Sequence, residues 1–505
     1  TFYVSRGHSR FTIADCRMIK LPIMKIIVYI FLFLVITSPV TAQYNIIDYG
    51  AKNDTSQLST EAINKAIAAC NSHGGGRVVV PAGNYKSGTI IMKSNVELHL
   101  ESGSVIYAST DTNDITRRAQ PAYRSQKDPG GWYALLYAEG ETNIRITGYG
   151  TIDGQGATQI PRSHSGGDLD GRPRNLLFIS CNNVLVDGIT MLNAGIWNQH
   201  YLNCEDVQIS NIRVYNHCNR NNDGLDIDGC RRVVVSNCII DSDDDAIVLK
   251  STGKAGCENV AIINCIVSSF TNAIKCGTES TGGFKNINIG NCIVKRSKSK
   301  VPPIFGRTNI GISGISLEIV DGGIMEGVQV HDIVIEETEC PIYVRLGNRA
   351  RKHNPDAPAP PLGTMRNISI TNITAYNTGN YTASITGVSA AKIENISLSR
   401  LRLVNRGGLK PGEFISKVDS VAEDEKGYPE PTVWKNLPVY GLFMRHVKNI
   451  SITDISLVNM QYDPRPAFAA IDIDHLSMQQ VKVEGSSRPP GLITKDVKKL
   501  EVRDY

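Results

Sequence analysis

The pattern that most restricts how this chain folds is one phrase, apolar-x-apolar-x-Asn-apolar-x-apolar, with Gly, Asp or Arg sometimes in the Asn place. It is read as VLVDGITM from residue 184, VQISNIRV from 207, VVVSNCII from 233, VAIINCIV from 260, INIGNCIV from 287, VQVHDIVI from 328, ISITNITA from 368, ISLSRLRL from 396 and ISITDISL from 450. Its fifth position falls at 188, 211, 237, 264, 291, 332, 372, 400 and 454, with gaps of 23, 26, 27, 27, 41, 40, 28 and 54 residues. A unit in the twenties, lengthened at some turns by insertions, marks a solenoid, because each unit buries its apolar face only by stacking on the next. Period-two alternation within the phrase means strands, and Asn or Gly marks the bend between them. A leucine-rich repeat would carry its own Leu and helix pattern, and a propeller would keep blades of about 40 residues throughout. The architecture that fits is all-β, a right-handed parallel β-helix whose coils pair in register and whose turn asparagines ladder their side-chain amides.

Ahead of the repeats, Ser59 and Thr60 are placed to cap a helix over residues 61–70, with Ile63, Ala66, Ile67 and Cys70 on one face and glycines at 74–76 to end it. This helix is expected to cover the open end of the solenoid, as terminal units must. A Pro-rich loop at 353–363 and a polar stretch at 405–437 interrupt the rhythm. Long loops on a rigid scaffold tend to wall a binding site, and these two are placed to close one end of a groove and favour exo action. Residues 43–505 read as a single domain.

The formal charge of +4 does not signal a nucleic-acid partner. Residues 1–42 hold Arg6, Arg10, Arg17, Lys20 and Lys25 against Asp15, which is 5 − 1 = +4 and leaves the rest near neutral. From Met24, one Lys precedes about eleven apolar residues and then Val40, Thr41 and Ala42, the layout of a secretory signal peptide cleaved after Ala42. The apolar run falls short of the about 20 residues a bilayer span needs. The expectation is an exported protein, periplasmic or extracellular, monomeric and without a membrane span after cleavage, with residues 1–23 expected to be upstream or mis-annotated sequence. Eleven of the twelve cysteines follow the leader, and Cys238, Cys265 and Cys292 recur 27 residues apart in equivalent places. That spacing favours packing as small hydrophobes over bridging.

Against this apolar regularity stands IDSDDDAIVLKS (240–251), with four aspartates in the five positions from Asp241 to Asp245, and NNDGLDIDG (221–229) lies one turn earlier. Asp223 and Asp244 are 21 residues apart, close to one coil, with Asp245 alongside. Three carboxylates in one groove suit general acid–base work: mutual repulsion keeps one protonated as an acid while another stays ionised to activate water. Turn aspartates bonding their own backbone leave Asp223 unexplained. A calcium loop would want Gly where Ala246 stands and Glu where Thr252 stands.

Here the residues resemble the polygalacturonase-like glycoside hydrolases of family 28. Asn221, Asn222 and Asp223 resemble the family's Asn-Thr-Asp motif, and Asp244 with Asp245 resembles its Asp-Asp motif at the usual spacing. WNQH (197–200) and YPEPTVWKNLPVYGLFMRHV (428–447) add to a likeness over about residues 44–480. The resemblance implies hydrolysis by single displacement with inversion, without a required cofactor or metal. Asp244 would protonate the leaving oxygen, while Asp223 and Asp245 would hold and deprotonate water. Inversion requires the acid and base about 6.5–9.5 Å apart.

Two places depart from the family. Asn272 stands where the family's Gly-His-Gly motif has His, and Ser316 and Glu318 stand where an Arg-x-Lys motif would contact a galacturonate carboxylate. Exchanging those cations for a hydroxyl and an acid removes the attraction for a uronate, so a neutral sugar such as rhamnose becomes at least an equal candidate. Lys275, Arg345 and Arg349 either restore anion binding from other coils or are solvated surface charges. The candidate substrate contacts are therefore His200, Asn222, Lys250, Asn272, Lys275, Glu318 and Arg345, facing a polysaccharide or oligosaccharide of plant or algal cell walls. Trp197, Tyr428 and Trp434 are either sugar platforms or core, and the sequons at Asn372, Asn395 and Asn449 are what the repeat generates by chance. Two other readings remain: a polysaccharide lyase using calcium and a basic residue on a uronate, and a non-catalytic adhesin with a β-helix stalk.

Overall fold

The fifth position of the repeat phrase is where the backbone must turn left-handed, and this explains its composition. At Gly188, Asn211, Asn237, Asn264, Asn291, Asp332, Asn372, Arg400 and Asp454, φ lies between 52 and 80°: 80, 58, 58, 57, 53, 54, 54, 52 and 55° in that order. Glycine enters that region freely, and Asn and Asp enter it more readily than other side chains. The expected amide ladder forms mainly one turn earlier. There Asn143 donates to Asn95 (2.7 Å) and Asn183 to Asn143 (2.8 Å), and Asn395 donates to Asn367 (2.9 Å) and Asn449 to Asn395 (3.1 Å). At the phrase position itself, Asn211 instead reaches the Asp187 carboxylate at 2.8 Å.

The computed structural model describes residues 42–126, 132–159, 171–303, 309–485 and 491–504. The leader reading falls on residues 1–41, outside the described residues, among which no helix is long and apolar enough to cross a membrane. From Gln43 onward the chain forms one compact unit: a right-handed parallel β-helix in which each strand pairs with its equivalents in the coils before and after. One face matters for function. It contains strands Arg174–Ile179, Gln199–Leu202, Leu225–Asp228, Ile247–Ser251, Asn272–Ser280, Gly311–Ile319 and Thr338–Leu346. Register aligns Leu177, His200, Asp226, Val248, Lys275, Ser316 and Tyr343 in one row across it. Alternate residues such as Leu225, Ile227, Ile247 and Leu249 point into the solenoid and are fully buried, each contributing about 1.5–3 kcal/mol of apolar burial.

The first helix runs over Thr60–Ser72 and buries Ala62, Ile63, Ala66, Ile67 and Cys70 against the end of the stack. Its capping differs from expectation. The Ser59 side chain makes no bond to the helix and lies near the Lys52 backbone instead, while the Thr60 hydroxyl accepts the Gly88 N–H at 2.6 Å and ties the helix to a coil. At the other end Gly75, with φ 112°, donates to the Cys70 carbonyl at 2.9 Å. The eleven described cysteines are free thiols. Cys238, Cys265 and Cys292 each bond a carbonyl two residues back, at 3.2, 3.3 and 3.2 Å.

On the functional face, two apolar clusters bracket a charged stretch. Trp132, Tyr137, Leu177 and Leu202 pack over the earlier coils. Val421, Trp434, Leu437 and Val439, from the 405–437 excursion and the residues after it, pack on Tyr343, Phe443 and Ala469 over the later ones.

Candidate active site

Backbone pairing brings the acidic turns together. Gly224 donates to the Asp245 carbonyl (2.9 Å), Asp244 to the Asn222 carbonyl (3.2 Å), and Ala246 to the Asn272 carbonyl (3.0 Å). The approach is tight enough to need glycine: a Cβ on Gly224 would lie 2.4 Å from the Ala246 oxygen. Asp223, Asp244, Asp245 and Asn272 therefore hang from three successive rungs of one rigid face.

The carboxylates differ in surroundings. Asp245 is buried, but burial's upward pull is outweighed by Lys275 (3.1 Å), by Lys250 and by the Asn272 amide (2.7 Å), which together hold it below the usual carboxylate range. Asp223 is also buried, and there desolvation prevails. With the charges of Asp226, Asp244 and Asp245 added, it is pushed well above the usual range despite Lys250 at 3.4 Å. Asp244 is partly exposed and accepts from the Thr271 hydroxyl (3.1 Å), its neighbour's N–H (3.1 Å) and the Asn221 amide (3.4 Å).

Beneath them lies a second layer. Lys275 is shared between Asp245 and Glu318, the latter at 3.9 Å. Glu318 accepts from Ser316 (2.8 Å) and Thr278 (3.2 Å), and burial pushes it up to about 7. Asn272 is a brace between Asp245 and the Ser313 hydroxyl, which donates to it at 2.6 Å. Lys250 lies under the Trp197 ring, 4.6 Å from its centroid. Arg349 is bonded to Asp321 at 2.9 Å. Of the three aromatic candidates, Trp197 and Trp434 are buried, whereas Tyr428 is half-exposed with its ring 5.5 Å from the Lys275 ammonium.

Three residues assigned to sugar contact from sequence do other work. Asn222 is fully buried and spends its amide on backbone, accepting from Cys218 (2.8 Å) and Asn219 (2.5 Å) and donating to Ala194 and Ile196 (both 2.9 Å). His200 is fully buried against Asp228 (3.1 Å), whose carboxylate also takes the Thr252 N–H (2.8 Å) and hydroxyl (2.6 Å). Arg345 is buried over Trp434 and bonds the carbonyls of Glu423 (2.5 Å) and Asp424 (3.2 Å), pinning the long excursion.

Sequence reasoning passed over Asp226, Glu279 and Thr271. Asp226 had a signal: in Leu225-Asp226-Ile227-Asp228 the alternation that buries the two apolar residues turns both aspartates to the carboxylate face. Thr271 and Glu279 carried none, since their roles follow from the insertion-dependent register of the next coil.

The model of Glycosyl hydrolases family 28 matches residues 70–418, more than two thirds of the chain, and the chain belongs to that family. A probable polygalacturonase of Vitis vinifera is 29% identical over 215 residues, 41% of this chain and 44% of that protein. An exopolygalacturonase of Platanus acerifolia is 29% identical over 211 residues, 40% and 52% of the two chains. The chain thus matches about half the length of these relatives. The crystal structure of an exopolygalacturonase from Thermotoga maritima shares the fold, with TM-score 0.60 at 21% identity over 83% of this chain and 92% of that one.

Proposed function

We propose that the chain is an exported, inverting glycoside hydrolase of pectic polysaccharide. In this reading Asp244 protonates the leaving oxygen, Asp223 and Asp245 hold and deprotonate water, and a neutral sugar sits at the reacting position. The observation that carries it is the convergence of the three carboxylates on neighbouring rungs, with Asp245 held ionised by Lys275 and Asn272, as a group that orients water must be. The neutral sugar is supported by the cations already being engaged: Lys250 faces Asp223, Asp226 and Glu279, Lys275 faces Asp245 and Glu318, and Arg349 faces Asp321. A uronate carboxylate would have to compete with those buried acids. The names of the relatives favour the second reading, a galacturonan substrate; export rests on the leader pattern alone.

The test incubates the protein with galacturonan and rhamnogalacturonan oligosaccharides and identifies the first product and its initial anomer. Release of an inverted reducing end from rhamnogalacturonan is expected. Asp244→Asn and Asp223→Asn should each lower kcat by roughly two to four powers of ten with the fold intact. An aryl glycoside with a good leaving group should restore turnover to Asp244→Asn and not to Asp223→Asn. Near-normal turnover in either variant on the natural polymer sinks the assignment. Unsaturated, chelator-sensitive products would show a lyase, and no reducing-end release from any pectic polymer would favour a binding protein.

A further inference from the structure

Asp226 lies outside the two acidic motifs, yet it is fully buried three residues beyond Asp223 on strand Leu225–Asp228. The Lys250 ammonium stands 3.4 Å from Asp223 Oδ2, 3.4 Å from Asp226 Oδ1 and 3.9 Å from Glu279 Oε2. One cation therefore faces three carboxylates. The other charges around Asp226 relieve it little. Arg174, two coils earlier, adds attraction, while His200, aligned with Asp226 on the preceding coil, is bonded to Asp228. Asp245 adds repulsion, Lys275 is committed to Asp245 and Glu318, and Arg349 reaches Glu279 only at 3.9 Å. Among the described residues Asp226 Oδ2 and Asp223 Oδ1 have no hydrogen-bond donor, and Asp226 Oδ1 has only the Lys250 ammonium at 3.4 Å. Buried carboxylates short of donors and counter-charge keep a proton rather than an uncompensated charge. Burial, partly opposed by Lys250 and Arg174, brings Asp226 up to about 7.

We propose that Asp226 is a positioning residue that sets the protonation of Asp223: the two carboxylates compete for Lys250, and the negative charge of Asp226 makes Asp223 hold its proton more tightly. Once ionised, Asp223 accepts the proton released by the attacking water and passes it to solvent before the next turnover. This rests on the proposed role of Asp223 as a base.

The test is the pH profile of kcat/KM for the unmodified protein, Asp226→Asn, Asp226→Glu and Lys250→Met, with Tm measured alongside. Asp226→Asn removes the competitor for Lys250, so the acid limb should move down by about one to three pH units. Asp226→Glu should bring it back, and Lys250→Met should move it up. A folded Asp226→Asn protein whose limbs coincide with those of the unmodified protein overturns the inference, because a merely structural role lowers activity or Tm without moving a limb. Movement of the alkaline limb instead upholds the link between Asp226 and Asp223 and reassigns Asp223 as the acid. Near-normal turnover of Asp223→Asn overturns the functional reading itself. Should Asp226→Asn fail to fold, infrared spectra of a Glu318→Gln protein decide. A protonated-carboxyl band near neutral pH is expected, and its absence overturns the proposal.

Discussion

Lys275→Met probes the charge balance of the site most directly. The Lys275 ammonium lies 3.1 Å from the Asp245 carboxylate and both are buried. At an effective dielectric of about 20, that separation corresponds to 332/(20 × 3.1), about 5 kcal/mol of attraction. Part of this offsets the desolvation of the two ions, so breaking the pair should cost about 3–5 kcal/mol of stability at neutral pH, most of it from the carboxylates left behind. The pH dependence has a definite sign. In the unmodified protein Asp245 is held below the usual carboxylate range, so its contribution is present above that range and is lost as pH falls through its folded value. Without Lys275, burial raises Asp245 above the usual range, and the ionised group then costs stability that returns as pH falls and the proton is regained. Urea unfolding of the two proteins across the acid-to-neutral range should therefore show a gap that narrows on acidification. The acid limb of activity should rise by about one to three pH units, since Asp245 must be ionised to hold water. A stability gap that stays constant with pH would refute the reasoning, because a packing defect alone has no such dependence.

Two further perturbations test the surroundings. Glu318, brought to about 7 by burial against an ordinary 4.5, keeps a proton that the unfolded chain has lost, so native stability should fall as pH rises between those values. The upper bound is about 3 kcal/mol, and Glu318→Gln should flatten that slope in urea titrations at the two ends. Arg345→Ala should expose the excursion it pins: leaving the Glu423 and Asp424 carbonyls unsatisfied should cost about 2–4 kcal/mol, and limited proteolysis should then cut within residues 405–437 faster than in the unmodified protein.

The coil spacing was enough to bring Asp223 to Asp244 and Asp245, because a parallel solenoid converts one coil of sequence into one rung of height. The 405–437 excursion was likewise legible as a departure from the repeat, although not the apolar packing of Trp434 and Leu437 that fixes it. Misreadings came where identity was taken for exposure. Asn222 and His200 sit in the right coils, but their polar atoms are consumed by the Ala194 and Ile196 carbonyls and by Asp228, bonds that span the coils and have no sequence signature. For Arg345 the sequence left anion binding and a solvated surface charge open, whereas its guanidinium satisfies backbone carbonyls of a loop 78 and 79 positions away. Ser59 shows the same limit in miniature: a good capping residue turned to Lys52 because the preceding loop lies within its reach.

The nearest-neighbour pairing of coils has a bearing on durability that composition would not suggest. A solenoid unravels from its ends, where a strand has a partner on one side only. Among the described residues, strand Leu492–Arg503 pairs on one side only and carries mostly exposed side chains, while the first coils are shut under the helix. The carboxylates occupy rungs with several coils on either side. Unpairing that begins in the coils beyond Tyr343 must travel through the strands holding Tyr343 and Ser316 before it loosens Lys275, so the carboxylates are shielded from it by intervening rungs.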